Sequence, residues 1–280
     1  MSTKSTKGNA VIRAFTNNKG GTGKSTSCVN IAALVAMARP DSAVLIVDLD
    51  PQSHVARFLG LSEMAQGMCI GNVLKDPSRI RENIINASLP DYPRRNLFVI
   101  PSSRELEVTV EEIVALSTVR ARHGVNTLNT LLADTLAGLT ETFGYIFIDC
   151  PPNLGSLTNA VYNFAHEAVV PTATKAVDFD GAQEHTLQLD RLRRQMPDVI
   201  QARLSYVIPT MYDARTRQAT RVIEAMRSVY GMETVTSPVP ERVEVKEAPE
   251  NGLTLYEYSV ATGKESQSLV AYAGIARRMI

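Results

Sequence analysis

TNNKGGTGKST, residues 16–26, lies between two apolar stretches: the β-branched run AVIRAF (10–15) and SCVNIAALVAMA (27–38), which is apolar on nearly every side. Strand, glycine-rich loop and helix in that order form the setting of a phosphate-binding loop. The usual spacing, G-x-x-x-x-G-K-[ST], is met at Gly23-Lys24-Ser25, but Asn18 stands where the first glycine belongs. Glycines allow the backbone angles that turn successive N–H groups inward, and the helix amino terminus adds partial positive charge. Gly20, Gly21, Thr22, Gly23, Lys24, Ser25 and Thr26 are therefore the candidate phosphate contacts. Lys24 is suited to β- and γ-phosphates and Ser25 to Mg²⁺. A second lysine, Lys19, five positions upstream, is not needed by a single loop of this kind. The bland alternative is a glycine turn with two solvated lysines, and the strand and helix on either side argue against it.

Working outward, continuous apolar runs recur at 43–50, 96–103, 145–152, 167–172 and 204–210, as expected for strands covered on both faces. Helical stripes lie between them. Val125, Leu128, Leu131, Leu132, Leu136 and Leu139 form one, and Ala219, Val222, Ile223, Met226 and Tyr230 another. This alternation predicts one α/β domain, residues 10–280, with a mostly parallel twisted sheet flanked by helices on both faces. Residues 1–9 read as a flexible polar tail, leaving no room for a separate amino-terminal DNA-binding domain. The segment 61–95, punctuated by Gly, Pro and Asn, reads as an irregular surface excursion.

Composition narrows the function. The 280 residues carry 29 Lys+Arg against 29 Asp+Glu, so any attraction to nucleic acid must come from a local patch. Three scattered cysteines suggest a reduced, cytoplasmic protein, and the four histidines show no metal-ligand spacing. No run approaches a membrane span. Two acidic motifs follow strands. VLIVDLDPQ ends in Asp48-x-Asp50, and YIFIDCPP carries Asp149 at the end of an apolar run. Carboxylates at the carboxyl edge of a parallel sheet sit where a magnesium–nucleotide complex binds. Asp48 and Asp149 are candidates for the metal's water shell, and Asp50 for orienting the attacking water. Alone, D-x-D after a strand is as often an ordinary turn.

KGGTGKST, DLDPQ and DCPPNLG together resemble the deviant Walker A motifs of the ParA/MinD family of ATPases, and Pro51-Gln52 resemble its ParA/Soj branch. The resemblance implies a P-loop NTPase-like fold, ATP and Mg²⁺ as cofactors, and an ATP-sandwich homodimer in which Lys19 reaches the partner's nucleotide. Lys19, Lys24 and Asp50 then become the catalytic set. Family resemblance also covers MYDARTR (211–217) and SPVPERVEVKEAPENG (237–252), which in relatives clasp the adenine. It implies Pro209, Met211, Pro240 and Arg242 as base contacts. Arg215, Arg217 and Arg221 are implied contacts to nonspecific double-stranded DNA. A paired, solvated helix face, with Glu224 beside Arg221, is the plain alternative.

The family further implies partition of plasmid or chromosomal DNA, a ParB-type centromere-binding partner that stimulates hydrolysis, and a nucleoid-associated location in a bacterium or archaeon. A ParA-like positioner of protein cargo and a small-molecule synthetase on the same fold are the rivals. The last stretch, ESQSLVAYAGIARRMI, carries an apolar stripe that belongs on the sheet and not on a membrane.

Overall fold

The computed structural model describes residues 10–121 and 128–280; His123, Val125 and the tail 1–9 lie outside them. Seven strands form one sheet: β1 (Val11–Phe15), β2 (Val44–Asp48), β3 (Ile85–Asn86), β4 (Leu97–Ile100), β5 (Tyr145–Asp149), β6 (Glu167–Ala173) and β7 (Arg203–Thr210). Their order is β3-β4-β2-β5-β1-β6-β7, parallel throughout except for the short edge strand β3.

Strand β1 lies between β5 and β6, so both its edges are paired, and helices cover both faces of the sheet, which explains its largely apolar character. Arg13, its one charged residue, is buried against Glu167 and the Met279 carbonyl. Alternate residues feed two cores. Ile12, Ala14, Leu45, Val47, Ile146 and Ile148 face one side, packed with residues of helices Ile70–Lys75, Leu131–Leu136 and Thr158–Phe164. Phe15, Val44, Ile46 and Phe147 face the other, against helices Lys24–Ala38 and Gln267–Arg278. The carboxyl-terminal helix thus spends its stripe on the sheet, with Tyr272 and Ala276 buried and Tyr272 hydroxyl 3.1 Å from Ser27 Oγ. Among the described residues no helix is long and apolar enough to cross a membrane.

Two expectations change. Leu132, Leu136 and Leu139 are buried as the stripe requires, but the helix ends at Leu136 and continues as a tighter 3₁₀ turn through Glu141. The larger correction concerns 61–95. It contains helix Ile70–Lys75, a 3₁₀ turn over Pro77–Asn83 and strand β3, and it buries Leu61, Ile70, Val73, Leu74, Ile85 and Ala87. Single apolar residues spaced between turn-formers hid that burial, because no period lasted long enough to be seen.

Arg94 closes this segment onto the carboxyl-terminal third. Its guanidinium donates to both Glu257 oxygens at 2.7 Å and to the carbonyls of Leu59 (2.6 Å), Gly252 (3.1 Å) and Ala87 (3.2 Å). Glu257 also completes a capping box with Thr254 at the start of helix Leu255–Thr262. Arg94 is buried and Glu257 largely so, so removing one strands a charge. Arg94→Met is expected to lower unfolding free energy by about 3 kcal/mol or more, read from the urea midpoint with Arg94→Lys as the milder comparison.

Candidate functional site

Register builds the site. Parallel pairing sets Phe15 beside Asp149 and Asp149 beside Asp48, so the phosphate loop and two carboxylates leave the sheet at one edge, side by side. Gly21 and Gly23 adopt φ of 72° and 84°, conformations that a side chain resists, and Gly23 caps helix Lys24–Ala38. A Cβ on Gly23 would come within 3.6 Å of Thr210, whose hydroxyl donates to the Thr22 carbonyl at 2.8 Å. The loop is thereby fastened to the end of β7. Asn17 fastens its other end: the amide donates to Pro171 O at 2.9 Å, and the amide oxygen accepts from Lys19 N at 3.0 Å.

Lys24 is buried, and its ammonium donates to the Lys19 carbonyl at 2.9 Å. Burial lowers its pKa, while Asp149, Cys150 and Asp50 favour the charged form. Asp48 is fully buried but well supplied, accepting from Asp50 N at 2.9 Å and Val55 N at 3.2 Å. Asp50 accepts from Gln52 N at 2.9 Å, which orders the turn that carries it. Asp149 differs: it is fully buried, and among the described residues neither carboxylate oxygen has a partner at full hydrogen-bond geometry, the Ser25 hydroxyl making only a looser approach, nor does the Thr22 hydroxyl have one. Burial first, then the Asp50 charge, push the Asp149 carboxyl up to about 7, although Ser25 and Lys24 nearby pull it down. Burial and Asp149 likewise raise Asp48 well above the carboxylate range.

An orphaned carboxylate beside a second carboxylate and the Ser25 hydroxyl is a hard oxygen set that suits a divalent cation such as magnesium. Such an ion uses one or two carboxylates and completes its shell from water and substrate phosphates. Among the described residues no cluster of three or more His, Cys, Asp or Glu forms a self-sufficient metal cage.

Next to the loop opens a cavity of about 790 Å³, large enough for a nucleoside. Met211, Pro240 and Arg242, three of the four candidate base contacts, line it together with Gly23 and Thr26 of the phosphate loop. Pro209 does not. It lies within β7 opposite Thr172, and its carbonyl accepts from Val239 N at 2.8 Å, so it supports the wall without facing the cavity; Thr210 takes its place. Arg57, Phe58, Gly60 and Ser62 form part of the lining that sequence reading missed. Gly60 was the available signal, since it turns at φ 71° directly after a short helix.

The arginine face divides. Arg217 and Arg221 are exposed on helix Arg217–Tyr230, opposite buried Val222, Ile223 and Met226, and neither has an ion-pair partner among the described residues. Glu224 therefore does not neutralise Arg221. Arg215 is engaged instead, in a two-pronged pair with Asp213 at 2.8 and 2.9 Å.

A parallel sheet with a glycine loop, a buried lysine and paired carboxylates at its carboxyl edge defines a P-loop nucleotide-binding protein. The AAA domain family model matches residues 10–202. The chromosome-partitioning ATPase Soj of Treponema pallidum is 31% identical over 265 residues, 94% of this chain and 96% of that protein. With these matches the chain belongs to the AAA domain family and, within it, to the ParA/MinD-type ATPases. Solved structures share the fold. Apo McdA from Cyanothece aligns with a TM-score of 0.77 at 21% identity, over 97% of this chain and all of that one. Cobyrinic acid a,c-diamide synthase from Mycobacterium smegmatis, with an ATP analogue and magnesium, aligns at 0.75 and 23%, over 96% and 94%.

The Asp149 environment has a pH signature. A carboxyl whose folded pKa exceeds its unfolded value stabilises the fold fully below the unfolded value, and that contribution is lost as pH rises through the folded one. Nucleotide-free protein should therefore lose stability from about pH 4 to about pH 7 through this group. Asp149→Asn should flatten that slope and raise the thermal midpoint at neutral pH, while abolishing stabilisation by magnesium and nucleotide. Calorimetry across pH, with and without both ligands, reads all three effects.

Proposed function

We propose that the protein is an ATP-hydrolysing DNA-partition ATPase that works as a nucleotide-sandwich homodimer. The observation that carries the reading is the pairing of an orphaned, buried Asp149 with a glycine loop holding two lysines. The Gly20–Ser25 amides and the Lys24 ammonium bind the triphosphate, and the adjoining cavity receives adenosine between Thr26, Met211 and Pro240. Ser25, with Asp48 and Asp149 through water, would hold magnesium, which neutralises charge on the phosphate oxygens. Asp50, ordered by its own turn, orients the attacking water for in-line displacement. Lys24 leaves the Lys19 carbonyl for phosphate. Lys19 neutralises charge on the partner's nucleotide, so a complete site exists only in the pair.

Identity of 31% to a chromosome-partitioning ATPase along nearly the whole chain supports partition over the rival roles that the fold also serves. Arg217 and Arg221, two cations on one helix face without an ion-pair partner among the described residues, supply contacts to DNA phosphates without reading bases. Two copies of this weak face in one dimer bind far better than one, which links ATP occupancy to DNA binding. A ParB-type centromere-binding protein is the expected activator, and a nucleoid-associated location follows from the DNA contacts.

Lys24→Ala should abolish nucleotide binding. Asp50→Ala should bind ATP and pair normally yet hydrolyse at under a tenth of the wild-type rate; wild-type turnover in a phosphate-release assay would remove Asp50 from the mechanism. Arg217→Glu combined with Arg221→Glu should weaken binding to every duplex alike and reduce the slope of log affinity against log salt by roughly two per protomer, about four for the dimer. An unchanged slope moves the DNA surface elsewhere.

A further inference from the structure

Helix Ala176–Gln195 runs beneath the start of the phosphate loop, and three residues on one of its faces meet the Asn18–Lys19 pair. Gly181, His185 and Gln188 are spaced four and three apart, hence one stripe. At Gly181 the missing side chain matters: a Cβ there would stand 3.1 Å from Lys19 Cγ and 3.4 Å from Cε, so the lysine stem lies across the helix. One turn further on, His185 Nδ1 is 2.9 Å from Asn18 Oδ1, and Asn18 Nδ2 donates to Gln188 Oε1 at 3.4 Å.

The imidazole is 3% exposed. Burial, reinforced by the Lys24 charge, pushes its pKa down to about 4, so the ring is neutral and carries one proton. The network assigns that proton. Asn18 turns its amide nitrogen toward Gln188 and its oxygen toward the ring, so Nδ1 must donate. Nε2 is then an acceptor. The Tyr162 hydroxyl at 3.1 Å and the Thr16 hydroxyl at 3.2 Å compete for its single lone pair, and they lie 3.2 Å from each other. One donates to the ring and the other to its neighbour. Hydrogen bonds thus run in a fixed direction from helix Thr158–Phe164, through the ring, to Asn18.

We propose that His185 is a positioning residue: its Nδ1–H holds Asn18 and so fixes the backbone from which Lys19 leaves toward the partner's nucleotide, while Gly181 leaves clearance for the lysine stem. This rests on the proposed role of Lys19 across the dimer interface. The ring does not touch nucleotide. It sets where a cation immediately before the glycine cluster begins its reach, and it ties that point to the helix that follows the Asp149 loop. Its effect therefore falls on pairing and turnover, not on the phosphate grip of Lys24.

Two substitutions separate this from ordinary core packing, because the amide nitrogen of Asn overlays Nδ1 whereas the Gln amide overlays Nε2. His185→Asn should retain association within about twofold of wild type, and His185→Gln should weaken it about tenfold, the size of one lost buried hydrogen bond. Association is read by sedimentation equilibrium with magnesium and a non-hydrolysable ATP analogue. Affinity for ADP, read on dilute monomer, should stay within about twofold in both variants. Gly181→Ala, which leaves the ring intact, should show the same selective loss. Lys19→Ala is the reference. If it fails to associate while His185→Gln and Gly181→Ala associate normally, the positioning role is overturned and the role of Lys19 survives. If Lys19→Ala itself associates normally, the underlying reading falls and this inference with it. Equal losses in the Asn and Gln variants, matched by equal drops in melting temperature, would reduce His185 to a packing residue.

Discussion

Parallel strand register delivers Phe15, Asp149 and Asp48 to the same level of the sheet, and the rest of the site follows from that alignment. A glycine loop continues from Phe15, so its inward-facing amides arrive next to two carboxylates that the strands have buried completely. The free protein does not satisfy this arrangement. Both carboxylates resist ionisation, but Asp48 is supplied by backbone N–H groups, whereas Asp149 has no hydrogen-bond partner among the described residues. An unsatisfied buried carboxylate costs stability, and a cation with a phosphate returns it, so the structural liability and the binding energy have one origin. Strain of this kind, stored at a site and relieved by ligand, is a common reason why functional positions break the rules that the core obeys.

Around that edge the chain uses distant segments as buttresses. Thr210 holds the Thr22 carbonyl, and Asn17 holds the loop's other end against Pro171. Arg94 joins the carbonyls of Leu59 and Gly252 to the Glu257 carboxylate, bringing together the two segments that form one side of the nucleoside-sized cavity. Gly60 and Gly252 meet backbone to backbone there; a Cβ on Gly252 would stand 2.7 Å from Gly60 Cα. The cavity wall is therefore braced by buried contacts, even though it is made of loops.

Charge at the surface is arranged differently from charge at the site. Arg215 is engaged by Asp213, whereas Arg217 and Arg221 have no ion-pair partner among the described residues and lie on a helix whose other face is buried. A net charge of zero for the chain is compatible with a local cationic face, because attraction to a polyanion depends on the patch and not on the total.

How much of this was legible in the residues depends on the range of the interaction. Continuous apolar runs gave away the six long strands, and short spacings gave away the loop with Lys24, Ser25, Asp48 and Asp149, because backbone geometry and motif chemistry act within a few neighbours. Strand β3 and the buried segment 61–95 escaped, since isolated apolar residues among turn-formers carry no period. Pro209 was assigned to a wall that Thr210 occupies, a difference of one residue that strand alternation decides. Arg57, Phe58, the Arg94 clamp and the His185–Asn18 contact were out of reach for another reason: each depends on which distant segments the sheet order brings together. By itself, then, the order of residues determined the class of chemistry at the sheet edge. Only the tertiary structure decided which carboxylate stands unpartnered and which side chains hold the loop, because burial and hydrogen-bond supply are properties of the packed neighbourhood and not of any local stretch.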